Sequence, residues 1–67
     1  MQMQKFIERM YIERDDLKGK IAKAKKAIDN PPYGSDAEGL KLLSEQVTHM
    51  ESYLAVLEKR ISYEEAK

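Results

Sequence analysis

Asn30-Pro31-Pro32-Tyr33-Gly34 cuts a chain of 67 residues near its middle, and no helix can run through it. Each proline lacks the amide proton that a helix interior uses, the residue before a proline is pushed out of the helical region, and Gly34 admits a turn. The segments on either side share one pattern. In the first, Met3, Ile7, Met10, Arg14, Leu17, Ile21, Ala24 and Ile28 follow at alternating steps of four and three; in the second, Leu40, Leu43, Val47, Met50, Leu54, Leu57 and Ile61 alternate in the same way. That spacing keeps one seam of each helix almost wholly apolar, the signature of helices packed at a shallow angle. The sequence therefore predicts an all-α fold, an antiparallel two-helix hairpin over residues 1–67. Its helices cover about 3–29 and 36–64, and a short loop covers 30–35. Ser35 followed by Glu38 fits the capping box that starts the second helix. Gly19 falls on the outer face of the first helix, where it weakens the helix by about 1 kcal/mol relative to alanine without touching the core.

A chain this short buries little apolar surface against its ordering entropy and usually needs staples or partners. It has no cysteine, so disulfides and thiolate metal sites are excluded and self-association is the expected source of further stability. Twelve basic and twelve acidic side chains cancel. No whole-molecule field marks a general nucleic-acid or membrane binder. The charge is nevertheless uneven: residues 1–30 carry eight basic and five acidic groups, and residues 31–67 carry four and seven. Complementary halves suit an antiparallel hairpin or a head-to-tail contact. Apolar residues come in short runs, so neither a transmembrane span nor a signal-peptide core is expected, and the protein is expected in the cytosol where it is made.

The second helix carries more apolar surface than one seam uses. Leu42, Gln46, His49, Tyr53, Val56, Arg60 and Tyr63 form a second stripe with the same alternation. Phe6, Tyr11 and Ile12 are left over on the first helix. Surplus apolar and aromatic surface on so small a chain predicts a homo-oligomer of even subunit number, a bundle built from hairpin pairs.

The same stripe holds the candidate site. Gln46, His49, Tyr53 and Arg60 combine amide, imidazole, phenol and guanidinium, the set needed to stack on a base and grip a phosphate. Tyrosine and arginine also serve ordinary protein interfaces, so the stripe reads either as structural contact or as a ligand site between protomers. Arg14, alone polar in either seam, either fixes register and oligomer state or binds an anion within the assembly. Tyr11 is a second candidate for stacking.

Other groupings point to no chemistry. Glu45 and His49 stand four apart on a helix, yet the chain has one histidine and no third ligand nearby, so no metal is expected. Glu13, Asp15 and Asp16 read as solvated surface. Lys18, Lys20, Lys23, Lys25 and Lys26 scatter around the helix, near its C-terminal end where cations are favoured. No glycine-rich phosphate loop is present, and no nucleophile has a base and an orienting partner. Neither catalysis nor a cofactor is expected.

Glu13, Leu17, Lys20 and Ile21 followed by LLSEQVTHMESYLAVLEKRI resemble a family of small phage proteins named after a crAss-like phage. The positions that carry the resemblance are Leu42, Leu43, Gln46, Met50, Tyr53, Leu57, Arg60 and Ile61, drawn from both the seam and the second stripe. Ala27 and the proline-rich loop depart from that family's pattern. In size, helical content and expected assembly the chain is also similar to phage sponges that sequester the cyclic nucleotide signals of bacterial immunity in the CBASS and Thoeris systems. The resemblance implies a counter-defence protein in the host bacterial cytoplasm. It would bind a cyclic di- or trinucleotide without cleaving it, with Tyr53 or Tyr11 stacking on a base, Arg60 and Arg14 on phosphates, and Gln46 or His49 reading a base edge. The alternative is a small helical adaptor or inhibitor that acts through protein contacts alone.

Overall fold

The computed structural model describes residues 2–67, with side chains from Lys5 onward; Met3, placed in the seam by its spacing, lies outside the described side chains. Two helices make up the chain, α1 over Gln2–Asp29 and α2 over Ala37–Glu65. They pack side by side as a rod of 49 × 16 × 14 Å. The reversal falls where the prolines require it. The amide of Asn30 still donates to the Lys26 carbonyl at 2.9 Å, and Pro31 has no amide with which to continue. Gly34 then takes a φ of 90°, a left-handed conformation that disfavours side chains.

The start of α2 corrects one expectation. Its N-cap is Asp36, whose carboxylate accepts from the Gly39 amide at 2.7 Å. The Ser35 hydroxyl instead donates back to the Pro32 carbonyl at 2.7 Å and closes the turn. An aspartate caps as well as a serine and adds a negative charge at the positive end of the helix dipole. Gly39 makes room for it: a Cβ there would stand 2.9 Å from the Asp36 carboxylate oxygen.

The heptad seams are the contact. Met10, Leu17, Ile21, Val47, Leu57 and Ile61 are buried, and Leu57 has no exposed surface at all. Ile7, Ala24, Ile28, Leu40, Leu43, Met50 and Leu54 are half-buried on the same line. The buried residues form two clusters, Met10 with Leu57 and Ile61 near the open end, and Leu17 with Ile21 and Val47 nearer the turn. Arg14 sits between them on α1. Its side chain is 27% exposed and turns outward, donating to the Asp15 carboxylate through Nε at 3.1 Å and Nη2 at 2.9 Å. Tyr11, counted as left over from the seam, is instead half-buried against the Met10 cluster. It adjoins Met10, so its ring reaches the edge of the core while its hydroxyl stays at the surface.

Candidate ligand site

The two long sides of the rod differ in chemistry, and the register of the hairpin explains why. Residues that immediately follow a seam position fall on one side. There Tyr11, Lys18 and Lys25 run along α1 at seven-residue steps against Glu65, Glu58 and Glu51 on α2. The Tyr11 hydroxyl donates to Glu65, Lys18 pairs with Glu58 at 3.6 Å and Lys25 with Glu51 at 2.6 Å. The basic first half and acidic second half meet here. The lysines and glutamates are about half exposed, so each of the two ion pairs contributes a few tenths of a kcal/mol, up to about 1 kcal/mol. These six side chains pair across the two helices. The Glu65 hydrogen bond, followed by desolvation and the carboxylate's own charge, raises the Tyr11 phenol above its ordinary pKa, while Arg14 opposes the shift. The Arg14 guanidinium lies 4.6 Å from the centre of the Tyr11 ring.

Residues that immediately precede a seam position fall on the other side. The Arg60 guanidinium lies 5.9 Å from the centre of the Phe6 ring, and the Tyr53 hydroxyl donates to the Glu13 carboxylate. Continuing by seven residues along each helix brings Lys20 level with Gln46, then Ala27 level with Gly39. This side keeps the exposed apolar surface of the second stripe, with Leu42, Tyr53, Val56 and Tyr63 between 45% and 64% exposed. It also carries an open groove of about 320 Å³, walled by Arg9, Ile12, Glu13, Asp16, Leu17 and Lys20 of α1 and by Tyr53 of α2. A second hollow of about 310 Å³ lies at the turn, where Ala27, Gly39 and the loop leave space.

The six candidate residues thus divide. Gln46, His49, Tyr53 and Arg60 share one side of α2, and of these only Tyr53 enters the groove. Arg60 stands one heptad farther toward the open end, over Phe6. Tyr11 and Arg14 turn toward the opposite side, engaged with Glu65 and Asp15. One protomer does not bring all six to a single cavity. Sequence reasoning missed Arg9, Ile12, Asp16 and Lys20 as groove residues and treated Glu13 and Asp16 as solvated surface. A signal was present: Arg9, Glu13 and Lys20 each immediately precede a seam position, as Tyr53 does on α2, so in an antiparallel pair they share its side.

Among the described residues no group of three or more histidine, aspartate or glutamate side chains comes together to hold a metal ion, and no helix is long and apolar enough to cross a membrane. The fold and the groove together define a small helical hairpin with a ladder of polar pairs along one side and an open groove on the other. Residues 4–63 match the family described as Sequestin, and the chain belongs to that family. Membership agrees with the resemblance that the sequence bears to small helical phage proteins and to cyclic-nucleotide sponges. Neither the curated proteins nor the solved structures gave a match.

Proposed function

We propose that this protein binds a cyclic nucleotide immune signal and holds it intact, as a phage counter-defence protein working by stoichiometric capture in the host bacterial cytoplasm. The family name speaks of sequestration, which favours binding over turnover. The observation that carries the reading is the asymmetry of the rod. Its ion-paired side offers a ligand little, whereas the opposite side combines an aromatic ring, a guanidinium, an amide and an imidazole at Tyr53, Arg60, Gln46 and His49 beside an open groove.

Capture at signalling concentrations requires a dissociation constant near nanomolar, about −12 kcal/mol. Base stacking at about 1 to 3 kcal/mol per base does not reach that figure on one open surface. Enclosure between protomers of an even-numbered homo-oligomer supplies the rest, through phosphate contacts in a preformed, desolvated pocket. The surplus apolar face of Leu42, Val56 and Tyr63 supports such an assembly. Tyr11 and Arg14 would reach the same ligand only from a neighbouring protomer.

Native mass spectrometry with a panel of cyclic di- and trinucleotides tests stoichiometry and ligand together. The expected result is an even oligomer that retains one of them and releases it chemically unchanged on heating. Thermal shift checks the same point: a ligand bound only by the folded state, at about a hundredfold excess over its dissociation constant, adds about 2.7 kcal/mol of stability. If no member of the panel is retained or shifts the melting temperature, sequestration gives way to an adaptor acting through the same face.

A further inference from the structure

The groove beside Tyr53 has an order of charges that the second stripe alone does not possess. Arg9 stands at one end and Lys20 at the other, about 16 Å apart along the helix axis, with Glu13 and Asp16 between them. Neither cation is ion-paired among the described residues, whereas Lys18 and Lys25 on the other side both are. The two carboxylates differ. Glu13 accepts the Tyr53 hydroxyl and so fixes the ring at the groove wall, while Asp16 makes no hydrogen bond or ion pair among the described residues. Ile12 adds an apolar wall, more than half exposed. Long, flexible cationic side chains at both ends can fold inward over whatever lies between them.

This order of cation, carboxylate and cation beside an aromatic ring is complementary to a particular chemical unit. A ribonucleotide within an oligonucleotide carries a phosphate on each side of its ribose and keeps one hydroxyl free between them. Cations grip phosphates, a carboxylate accepts from a ribose hydroxyl, and an aromatic face takes the base. We propose that the groove is a subsite for one such ribonucleotide unit. Arg9 and Lys20 hold its two phosphates, Asp16 accepts from its free hydroxyl and the Tyr53 ring stacks on its base. Glu13 is a positioning residue that holds Tyr53. The proposal rests on the sequestration reading and names where on the chain one unit of the captured ligand would sit.

The test uses the full chain, isotope-labelled, with adenosine 3′,5′-bisphosphate as the probe and its 2′-deoxy analogue and inorganic phosphate as comparisons. Amide resonances around Arg9, Asp16, Lys20 and Tyr53 should shift together and saturate with the ribonucleotide. Arg9→Gln and Lys20→Gln should each weaken binding at least about tenfold, since each removes a charge-assisted contact to a phosphate. The deoxy analogue should bind about fivefold more weakly, a difference that Asp16→Asn should narrow as the acceptor loses its charge. All three positions are exposed, so helix content by circular dichroism should stay at the wild-type level. Shifts centred on Gln46 and Arg60 instead, equal binding by the Arg9 and Lys20 variants, or no saturable shift would overturn the subsite. Capture of a cyclic dinucleotide that ignores Arg9→Gln and Lys20→Gln would remove the subsite and keep sequestration. Binding of the bisphosphate in the groove with no cyclic nucleotide captured would keep the subsite and remove sequestration.

Discussion

The Tyr53 hydroxyl of α2 donates to the Glu13 carboxylate of α1, tying the helices together on the side that carries the groove. Tyr53 is 45% exposed, so water competes for both partners and the net contribution of the bond is at most about 1 kcal/mol. Tyr53→Phe should therefore lower the melting temperature by no more than about 4 to 8 °C and leave helix content unchanged. Tyr53→Glu sets a second carboxylate beside Glu13 and a charge in the exposed apolar stripe. It should weaken self-association far more than Tyr53→Phe does. Analytical ultracentrifugation of the two variants at micromolar concentration separates these effects, and equal behaviour would remove Tyr53 from any interface.

Leu57 is the one fully buried side chain among the described residues, packed against Met10 and Ile61. Leu57→Ala should cost about 2 to 5 kcal/mol through lost contacts and the cavity left behind, comparable to all that a single core supplies in a chain below about 70 residues. The variant should be largely unfolded when dilute and regain helix content as protein concentration rises, because association favours the folded state. A thermal melt within a few degrees of wild type would mean that the Met10 cluster is not where stability resides.

Tyr11 links stability to alkaline pH. Its pKa in the folded chain lies above the ordinary 10.0, chiefly because its hydroxyl donates to the Glu65 carboxylate, a bond that ionisation destroys. A raised pKa means that the folded state holds the proton more tightly than the unfolded one. The contribution is therefore fully present below pH 10 and is lost as pH rises through the higher folded value. The melting temperature should fall across that window, and Tyr11→Phe should flatten this part of the fall. An unchanged alkaline profile in Tyr11→Phe would assign the loss to other groups.

Arg14 occupies a seam position between Met10 and Leu17 yet turns outward to Asp15 and the Tyr11 ring. Arg14→Leu would place a fitting apolar side chain in the seam at the loss of two partly solvated contacts. The gain should be modest, about 1 kcal/mol, and should raise the melting temperature by about 4 to 8 °C. A lower melting temperature would give the guanidinium a stabilising role. Loss of ligand capture in a more stable variant would give it a binding role.

The fold was largely legible because its signals are periodic and local. Heptad steps from Ile7 to Ile28 and from Leu40 to Ile61 mark the buried line in advance, and Pro31 and Pro32 leave the chain one place to reverse. The N-cap was read one residue early because Ser35 and Asp36 are both good caps, and the choice between them depends on the turn: Ser35 is drawn back to Pro32, and Asp36 faces the space left by Gly39. The site was less legible. Marking the stripe of Gln46, Tyr53 and Arg60 needs only the periodicity of α2, whereas adding Arg9, Asp16 and Lys20 needs the side on which α1 lies. That side follows only when the seams of both helices are compared, since Arg9, Asp16 and Lys20 precede seam positions on α1 as Tyr53 does on α2. Tyr11 joined the candidate set by residue type and Arg14 as the one polar residue of the seams, but their side chains engage Glu65 and Asp15 on the opposite side.

Arg60 provides the sharpest separation of binding from architecture. It is exposed, and its guanidinium lies over Phe6 and makes no ion pair among the described residues. A cation over an exposed ring contributes about 0.5 to 1 kcal/mol, so Arg60→Ala should move the melting temperature of the free protein only slightly. A phosphate held by the same guanidinium receives two parallel hydrogen bonds, a geometry that lysine does not reproduce. Capture of a cyclic nucleotide should therefore fall in the order wild type, Arg60→Lys, Arg60→Ala, and should weaken with added salt more steeply than self-association does. Isothermal titration at two ionic strengths with the three proteins gives both measures. Equal affinity in all three would place the phosphates elsewhere on the rod, and a loss of assembly parallel to the loss of binding would make Arg60 an interface residue.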